Sequence, residues 1–259
     1  VGIVTALEID LVAAPAQWGA TLTFDVADAA SVLRAVRDLA DDAPATLNVF
    51  VNSMRMPDAP QLPAEIRGTS FLSVQALSVD GAAGALLSGV RSAGVVRREK
   101  IGPTSQAALA AASGEPTEPT AGAGGSMTLA ALDDATIAGL VEFRELPEQW
   151  PIVGIDIRML GGALRSPHRD GFASLSAADW LLHALVPVIP GVPAEPGMES
   201  LAGLRRLLAP HEAPQIIPTF LSPGQGLDRC GSPDDLRRLR AVRQAADPQA
   251  VLHEGRLPR

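Results

Sequence analysis

The side chains best able to do chemistry concentrate in one stretch, Ile155-Asp156-Ile157-Arg158-Met159-Leu160-Gly161-Gly162-Ala163-Leu164, followed closely by His168-Arg169-Asp170. Histidine titrates near neutral pH, so His168 is the residue type best suited to take a proton from a substrate. Asp170, on the same side of a turn, can orient that imidazole. The same His-Arg-Asp turn can equally be a structural salt-bridge knot. Asp156 and Arg158 share one face of an alternating strand, with Ile155 and Ile157 on the other. If the polar face looks into a pocket the pair binds substrate; if it looks at solvent it is a surface ion pair.

Other chemistries find little support. The single Cys230 excludes an intrachain disulfide framework and a cysteine-based zinc site. His168, His183, His211 and His253 show no metal-ligand spacing. There is no Gly-x-Ser-x-Gly elbow for a hydrolytic serine. Gly122-Ala123-Gly124-Gly125 lacks the strand before and helix after that would aim amides at a phosphate. A net charge of −8 argues against nucleic-acid and anionic-membrane partners. No apolar run approaches the roughly 20 residues of a membrane span. At 259 residues, 47% hydrophobic and 19% charged, the chain can bury a sizeable core. Its abundant Ala and Pro fit a high-GC bacterial genome, and a soluble cytoplasmic protein is the expectation.

The elements that must hold these residues are legible from periodicity. Residues 19–26 alternate Leu22, Phe24 and Val26 against polar neighbours, as a half-buried strand does. Asp28 is placed to cap a helix to about Asp41, whose Val32, Leu33, Val36 and Leu39 form one apolar face. Residues 46–54 and 70–79 read as strands. Asp80 is expected to open a helix through Ala85, Leu86 and Val90 that closes at Gly94. Residues 56–68 read as a surface loop, and 114–125 as a mobile one. A short helix is expected around 135–143 and a strand over 152–160. Residues 171–183 read as a strand, 187–196 as a Pro-rich turn, and 199–208 as an amphipathic helix. In the tail, Leu236 and Leu239 should face a core while Arg237, Arg238 and Arg240 stay solvated. The order strand, helix, strand, strand, helix predicts an α+β fold: a mostly antiparallel sheet of about five to seven strands with helices on one face.

Several of these segments resemble one family. Arg158-Met159-Leu160-Gly161-Gly162-Ala163 with His168-Arg169-Asp170 resembles the RhLGGA…HRD strand and turn of the substrate domain in berberine-bridge-like FAD-linked oxidases. Val1-Gly2-Ile3-Val4-Thr5 through Leu11 looks like the end of that family's GxFGIVTxxxxxL segment. Residues 126–143 are similar to its SxfleeLsdeaidalv segment. Asp234–Arg240 with Asp247-Pro248 through Gly255-Arg256 resembles its closing RLrrlKarxDPdgvf element. The match is loose elsewhere. Ile216-Ile217-Pro218-Thr219-Phe220-Leu221 stands where the family has YxNFLG, with Ile217 and Thr219 in the Tyr and Asn places. The chain contains no Tyr at all, so the base or pocket wall that many members use is absent.

The resemblance implies the following division. Residues 1–12 would be the last strand of a truncated FAD-binding domain, 13–215 a substrate-binding domain, and 216–259 a return segment to the FAD domain. Gly2, Ile3 and Val4 would touch the cofactor through main chain, and Asp156, Arg158 and Thr219 would contact substrate. His168 and Asp170 would manage the proton. The whole enzyme would oxidise an alcohol or amine carbon with FAD and pass electrons to oxygen. Its partners would be a small-molecule substrate and the missing FAD-binding domain, and the fragment alone would be inactive and not retain FAD. The other reading is a non-catalytic, degenerate or truncated product acting as a small-molecule or protein-binding α+β module.

Overall fold

In the computed structural model, the described residues are 4–10, 17–58, 60, 64–81, 83–105, 107–108, 121–149, 151–161, 164, 178–189, 191–222 and 224–252. Seven strands form one sheet: β1 Gln17–Phe24, β2 Leu47–Arg55, β3 Ser70–Ser78, β4 Val96–Thr104, β5 Gly122–Leu129, β6 Gly154–Met159 and β7 Trp180–Pro187. Their order is β4-β1-β3-β2-β6-β7-β5, and every neighbouring pair is antiparallel. The helices among the described residues are α1 Ala29–Asp42, α2 Ser88–Ser92, α3 Asp134–Glu145, α4 Glu195–Leu208 and α5 Pro233–Ala246.

The sheet is built from two similar units. β1-α1-β2-β3-α2-β4 is a ferredoxin-like βαββαβ, with sheet order 4-1-3-2. β5-α3-β6-β7-α4 repeats that path without a fourth strand. The second strands of the two units, β2 and β6, pair with each other. The sheet thus has an approximate two-fold between them.

Alternation gives the sheet two unlike faces. Leu22, Phe24, Val49, Val51, Leu72, Val74, Ile155, Ile157, Leu182 and Ala184 point to one side, where α1 to α4 bury them with Val32, Leu33, Val36, Ile137, Leu140 and Leu204. Each Val, Leu, Ile or Phe among them contributes about 1.5–3 kcal/mol when fully buried, so this layer is the stabilising core. The opposite face carries no α-helix of this layer. α5 lies against the turn at Leu227–Arg229 instead, with Leu236 buried and Arg237, Arg238 and Arg240 exposed.

The α+β architecture agrees with the reading of the sequence, and several details correct it. Val96–Thr104 is a strand that periodicity does not flag, because as an edge it exposes Arg97, Arg98, Glu99 and Lys100. The helix expected from Asp80 shrinks to Ser88–Ser92; Asp80 instead accepts a hydrogen bond from the Ser78 hydroxyl at 2.9 Å. Asp28 stands at the N-cap of α1, yet its carboxylate accepts the Val95 amide at 2.9 Å and not an amide of its own helix. Gly122–Gly125, read as part of a mobile loop, is half of β5; the rest of that loop through Thr120 lies outside the described residues. The last described strand starts only at Trp180 and runs on to Pro187. Val4–Asp10 carries no strand pairing and every residue in it is exposed.

Candidate functional site

Ladder register fixes which side chains meet on the helix-free face. Thr23 of β1 stands opposite Ser73 of β3, which stands opposite Asn52 of β2. Asn52 faces Asp156 of β6, Asp156 faces His183 of β7, and His183 faces Ser126 of β5. One polar residue from each of six strands, β4 apart, thus forms a row across the sheet, mirrored about the Asn52–Asp156 pair. A parallel row runs Thr21, Gln75, Phe50, Arg158, Leu181, Thr128. Directly opposed residues sit with Cβ atoms about 4.5–5.5 Å apart, so these side chains form a common surface.

His183 is the centre of this surface. A 2.7 Å hydrogen bond joins the Ser126 hydroxyl to its Nδ1. If Nδ1 carries the proton and donates to Ser126 Oγ, Nε2 is left as a free acceptor, the form a general base needs. The ring lies over Gly124: a Cβ there would stand 2.7 Å from Cε1 and 3.2 Å from Nε2. Glycine at 124 is therefore required by the close approach of the imidazole. Burial holds His183 below its ordinary value; Asp156 works against that and Arg158 adds to it. The imidazole is thus neutral at physiological pH.

Arg158 binds this cluster together. Its guanidinium carbon stands 5.9 Å from the Phe50 ring centroid and 5.7 Å from that of Phe220, within reach of a cation–π attraction to both. Its Nη2 donates to Asp156 at 3.4 Å, a long and partly exposed pair. Phe220 also meets His183 edge-on, with centroids 6.1 Å apart. Asn52 contributes a buried Oδ1 with no hydrogen-bond donor among the described residues.

Phe220 reaches the face because the chain after α4 wraps the outer edge of β5. Ala130 donates to the His211 carbonyl at 3.1 Å, Ala213 to the Thr128 carbonyl at 2.8 Å, and the Ser126 amide to Ser222 Oγ at 3.4 Å. Ile217 and Phe220 then pack on Leu160, Leu181 and Ala213. This wrap covers a strand edge that would otherwise present unpaired amides.

The residues named from the sequence fall into three groups. Asp156 and Arg158 are on the face, side by side, with the Arg158 side chain 45% exposed and that of Asp156 23%. Thr219 is exposed within the turn Pro218–Phe220, and it is its neighbour Phe220 that packs on the sheet. Val4 is 74% exposed. Gly2, Ile3, His168 and Asp170 lie outside the described residues. The sequence reading missed His183, Ser126, Phe50 and Asn52. A signal existed for His183: Trp180, Leu182, Ala184 and Val186 alternate with Leu181, His183 and Leu185, which puts a titratable group on the uncovered side of a strand.

The longer helices begin with carboxylates: Asp28 before α1, Asp133 and Asp134 at α3, Glu195 at α4, Asp234 and Asp235 at α5. These occupy the ends where a phosphate would otherwise bind and repel it. No cluster of His, Cys, Asp and Glu among the described residues could hold a metal. No described helix is long and apolar enough to cross a membrane.

Comparison with solved structures shows what this arrangement is similar to. The BBE-like 1 protein of Physcomitrella patens matches over 95% of this chain and 54% of its own, with TM-score 0.76 at 10% identity. GilR, an oxidoreductase of the terminal step of gilvocarcin biosynthesis, solved with pregilvocarcin, matches over 96% and 57%, with TM-score 0.74 at 13% identity. The xylooligosaccharide oxidase of Myceliophthora thermophila, solved with xylobiose, matches over 91% and 54%, with TM-score 0.65 at 15% identity. At these identities the likeness is one of fold, and the chain spans little more than half the length of each. No family model matches the sequence, and neither does any curated protein.

Proposed function

We propose that this chain is the substrate-binding part of a FAD-dependent oxidoreductase in which the helix-free sheet face is one wall of the substrate pocket. The observation that carries this reading is the cluster of His183, Ser126, Asp156, Arg158, Asn52, Phe50 and Phe220 on the helix-free face of a fold shared with longer oxidoreductases. Since the N-termini of the longer helices carry carboxylates, which repel phosphate, FAD would be held by a separate flavin domain, with residues 1–12 and 216–259 as the connections to it. FAD supplies the acceptor for the electrons, and oxygen would be the final acceptor.

The chain's own part is recognition and proton transfer. Neutral His183, fixed by Ser126, takes the proton from a substrate hydroxyl or amine through Nε2. Asn52 Oδ1 accepts a hydrogen bond from a second polar group. Phe50 and Phe220 stack on the substrate body, and Arg158 with Asp156 fixes its orientation. His168 and Asp170 are the alternative proton acceptors, as the resemblance implies.

The test begins with the coding sequence ahead of Val1, which should encode a flavin-binding domain in frame. The full-length protein should purify with FAD, and an alcohol or amine substrate should bleach it without oxygen. His183→Gln should slow flavin reduction by about 100-fold or more, and His168→Gln should slow it far less. The reverse ranking would transfer the base to His168. A protein with no flavin domain would favour the non-catalytic binding module.

A further inference from the structure

The outer edge of β5 is closed by side chains as well as by main chain, and one of them comes from the other side of the sheet. Residues 211–213 take up the outward-facing groups of Ala130 and Thr128. The chain then leaves the edge, and the Ser126 amide, next along the strand, donates to Ser222 Oγ at 3.4 Å. Because that amide points away from β7, Ser126 opposes His183 as a non-hydrogen-bonded pair, the kind whose side chains stand closest. The Ser222 hydroxyl thus stands where the next ladder partner would be.

Ser222 is held at three points. Its amide donates to Gln225 Oε1 at 2.9 Å, its carbonyl accepts the Gln225 amide at 3.1 Å, and its hydroxyl accepts Arg205 Nη2 at 3.1 Å. The last is a charge-assisted bond, stronger than a neutral one. Arg205 belongs to α4 on the helix-covered side, where it lines a narrow gap with Met127, Leu182 and Leu204. Its guanidinium therefore ties the helix layer to a residue only two positions after Phe220. Leu221, between them, is buried with Ile216 and Cys230. Phe220 itself meets the His183 ring edge-on and lies within cation–π reach of Arg158.

We propose that Arg205 and Ser222 are positioning residues for His183, acting from the opposite side of the sheet; this rests on the reading of His183 as the base. Arg205 fixes Ser222. Ser222 fixes the main chain of Ser126, whose hydroxyl holds Nδ1, and through Leu221 it sets Phe220 against the ring. Two of the contacts that orient the imidazole thus depend on one hydroxyl. Phe220 also contributes to the burial that keeps His183 neutral.

The experiment is NMR titration of the His183 ring in the 259-residue chain. In Ser222→Ala and Arg205→Gln the imidazole should titrate at higher pH than in the parent, nearer to an exposed histidine, because Phe220 is no longer held against it. Ser222→Thr, which keeps the hydroxyl, should restore the parent curve. Arg206→Gln, at the exposed neighbouring position of α4, should leave it unchanged. Arg205→Lys, which keeps a donor but not the planar fork, should shift the curve the same way and serves if Arg205→Gln does not fold. A purely structural latch would lower Tm in Ser222→Ala and Arg205→Gln without moving the titration, and that result would overturn the proposal. So would a Ser222→Thr curve equal to that of Ser222→Ala. In the full-length enzyme Ser222→Ala should slow flavin reduction about 10-fold or more, since a misplacement of about 1 Å can cost 100-fold. The base reading is decided separately, by His183→Gln in that enzyme, and the titrations do not depend on it.

Discussion

Ser126 and His183, 57 residues apart in sequence, face each other across the β5–β7 ladder with Oγ 2.7 Å from Nδ1. Their pairing fixes the imidazole on the helix-free face and, with the proton on Nδ1, leaves its other nitrogen as an acceptor. It also makes the histidine a structural element whose protonation state matters for folding.

That coupling gives a pH dependence. An unfolded histidine takes its proton near 6.5, and folded His183 takes it at lower pH because of burial. Between those two values the unfolded chain binds more protons, so stability rises with pH there. The contribution is complete above about 6.5 and is lost as pH falls through the folded value. Urea unfolding of the parent chain and of His183→Gln across this window measures it: the parent should lose stability on acidification more steeply. Identical slopes would place the imidazole in water.

Gly124→Ala should be damaging where Gly125→Ala is harmless. A Cβ at 124 meets the imidazole at 2.7 Å and the Ala184 carbonyl at 3.3 Å, whereas one at 125 meets only Leu201 at 3.7 Å. Overpacking of this kind costs about 1–3 kcal/mol. Thermal unfolding gives the stabilities, and NMR titration of His183 in Gly124→Ala should move toward an exposed histidine. Equal stabilities in the two variants would show that the ring does not rest on Gly124.

Arg158→Ala in the full-length enzyme should reduce kcat/KM at least about 10-fold, the loss of one charge-assisted contact. Its stability should fall by no more than about 1–2 kcal/mol, since each of its two partly exposed cation–π contacts contributes about 0.5–1 kcal/mol. Steady-state kinetics and melting curves separate the two. Unchanged kinetics with a lowered Tm would make Arg158 purely structural.

The chain by itself should not retain FAD. The N-termini of α3, α4 and α5 carry carboxylates, which repel phosphate, and Val4 is exposed. Mixing residues 1–259 with excess FAD, desalting and recording the visible spectrum is sufficient. A flavin band at one equivalent per chain would reveal a cofactor site in this half.

The sequence by itself determined the local pattern. Val32, Leu33 and Val36 mark the buried face of α1, and Ser232 with Asp235 closes a capping box on α5. Leu22, Val49, Val74 and Ile157 each show which side of their own strand is buried, and Asp156 with Arg158 declared a polar side. These follow from the 3.6- and 2-residue periods, which are properties of neighbouring residues. Val96–Thr104 and Gly122–Gly125 escaped because an exposed edge and a glycine-rich strand have little apolar alternation to display. Pairing and register belong to the tertiary structure. Alternation states which face His183 occupies but not that β7 lies between β6 and β5, nor that Asp156 and Ser126 are its neighbours. Only assembly of the whole sheet, with the chain after α4 bringing Phe220 around the β5 edge, builds that surface. The energy that selects this assembly is spread over the buried side of the sheet, whereas the residues it brings together lie on the other side.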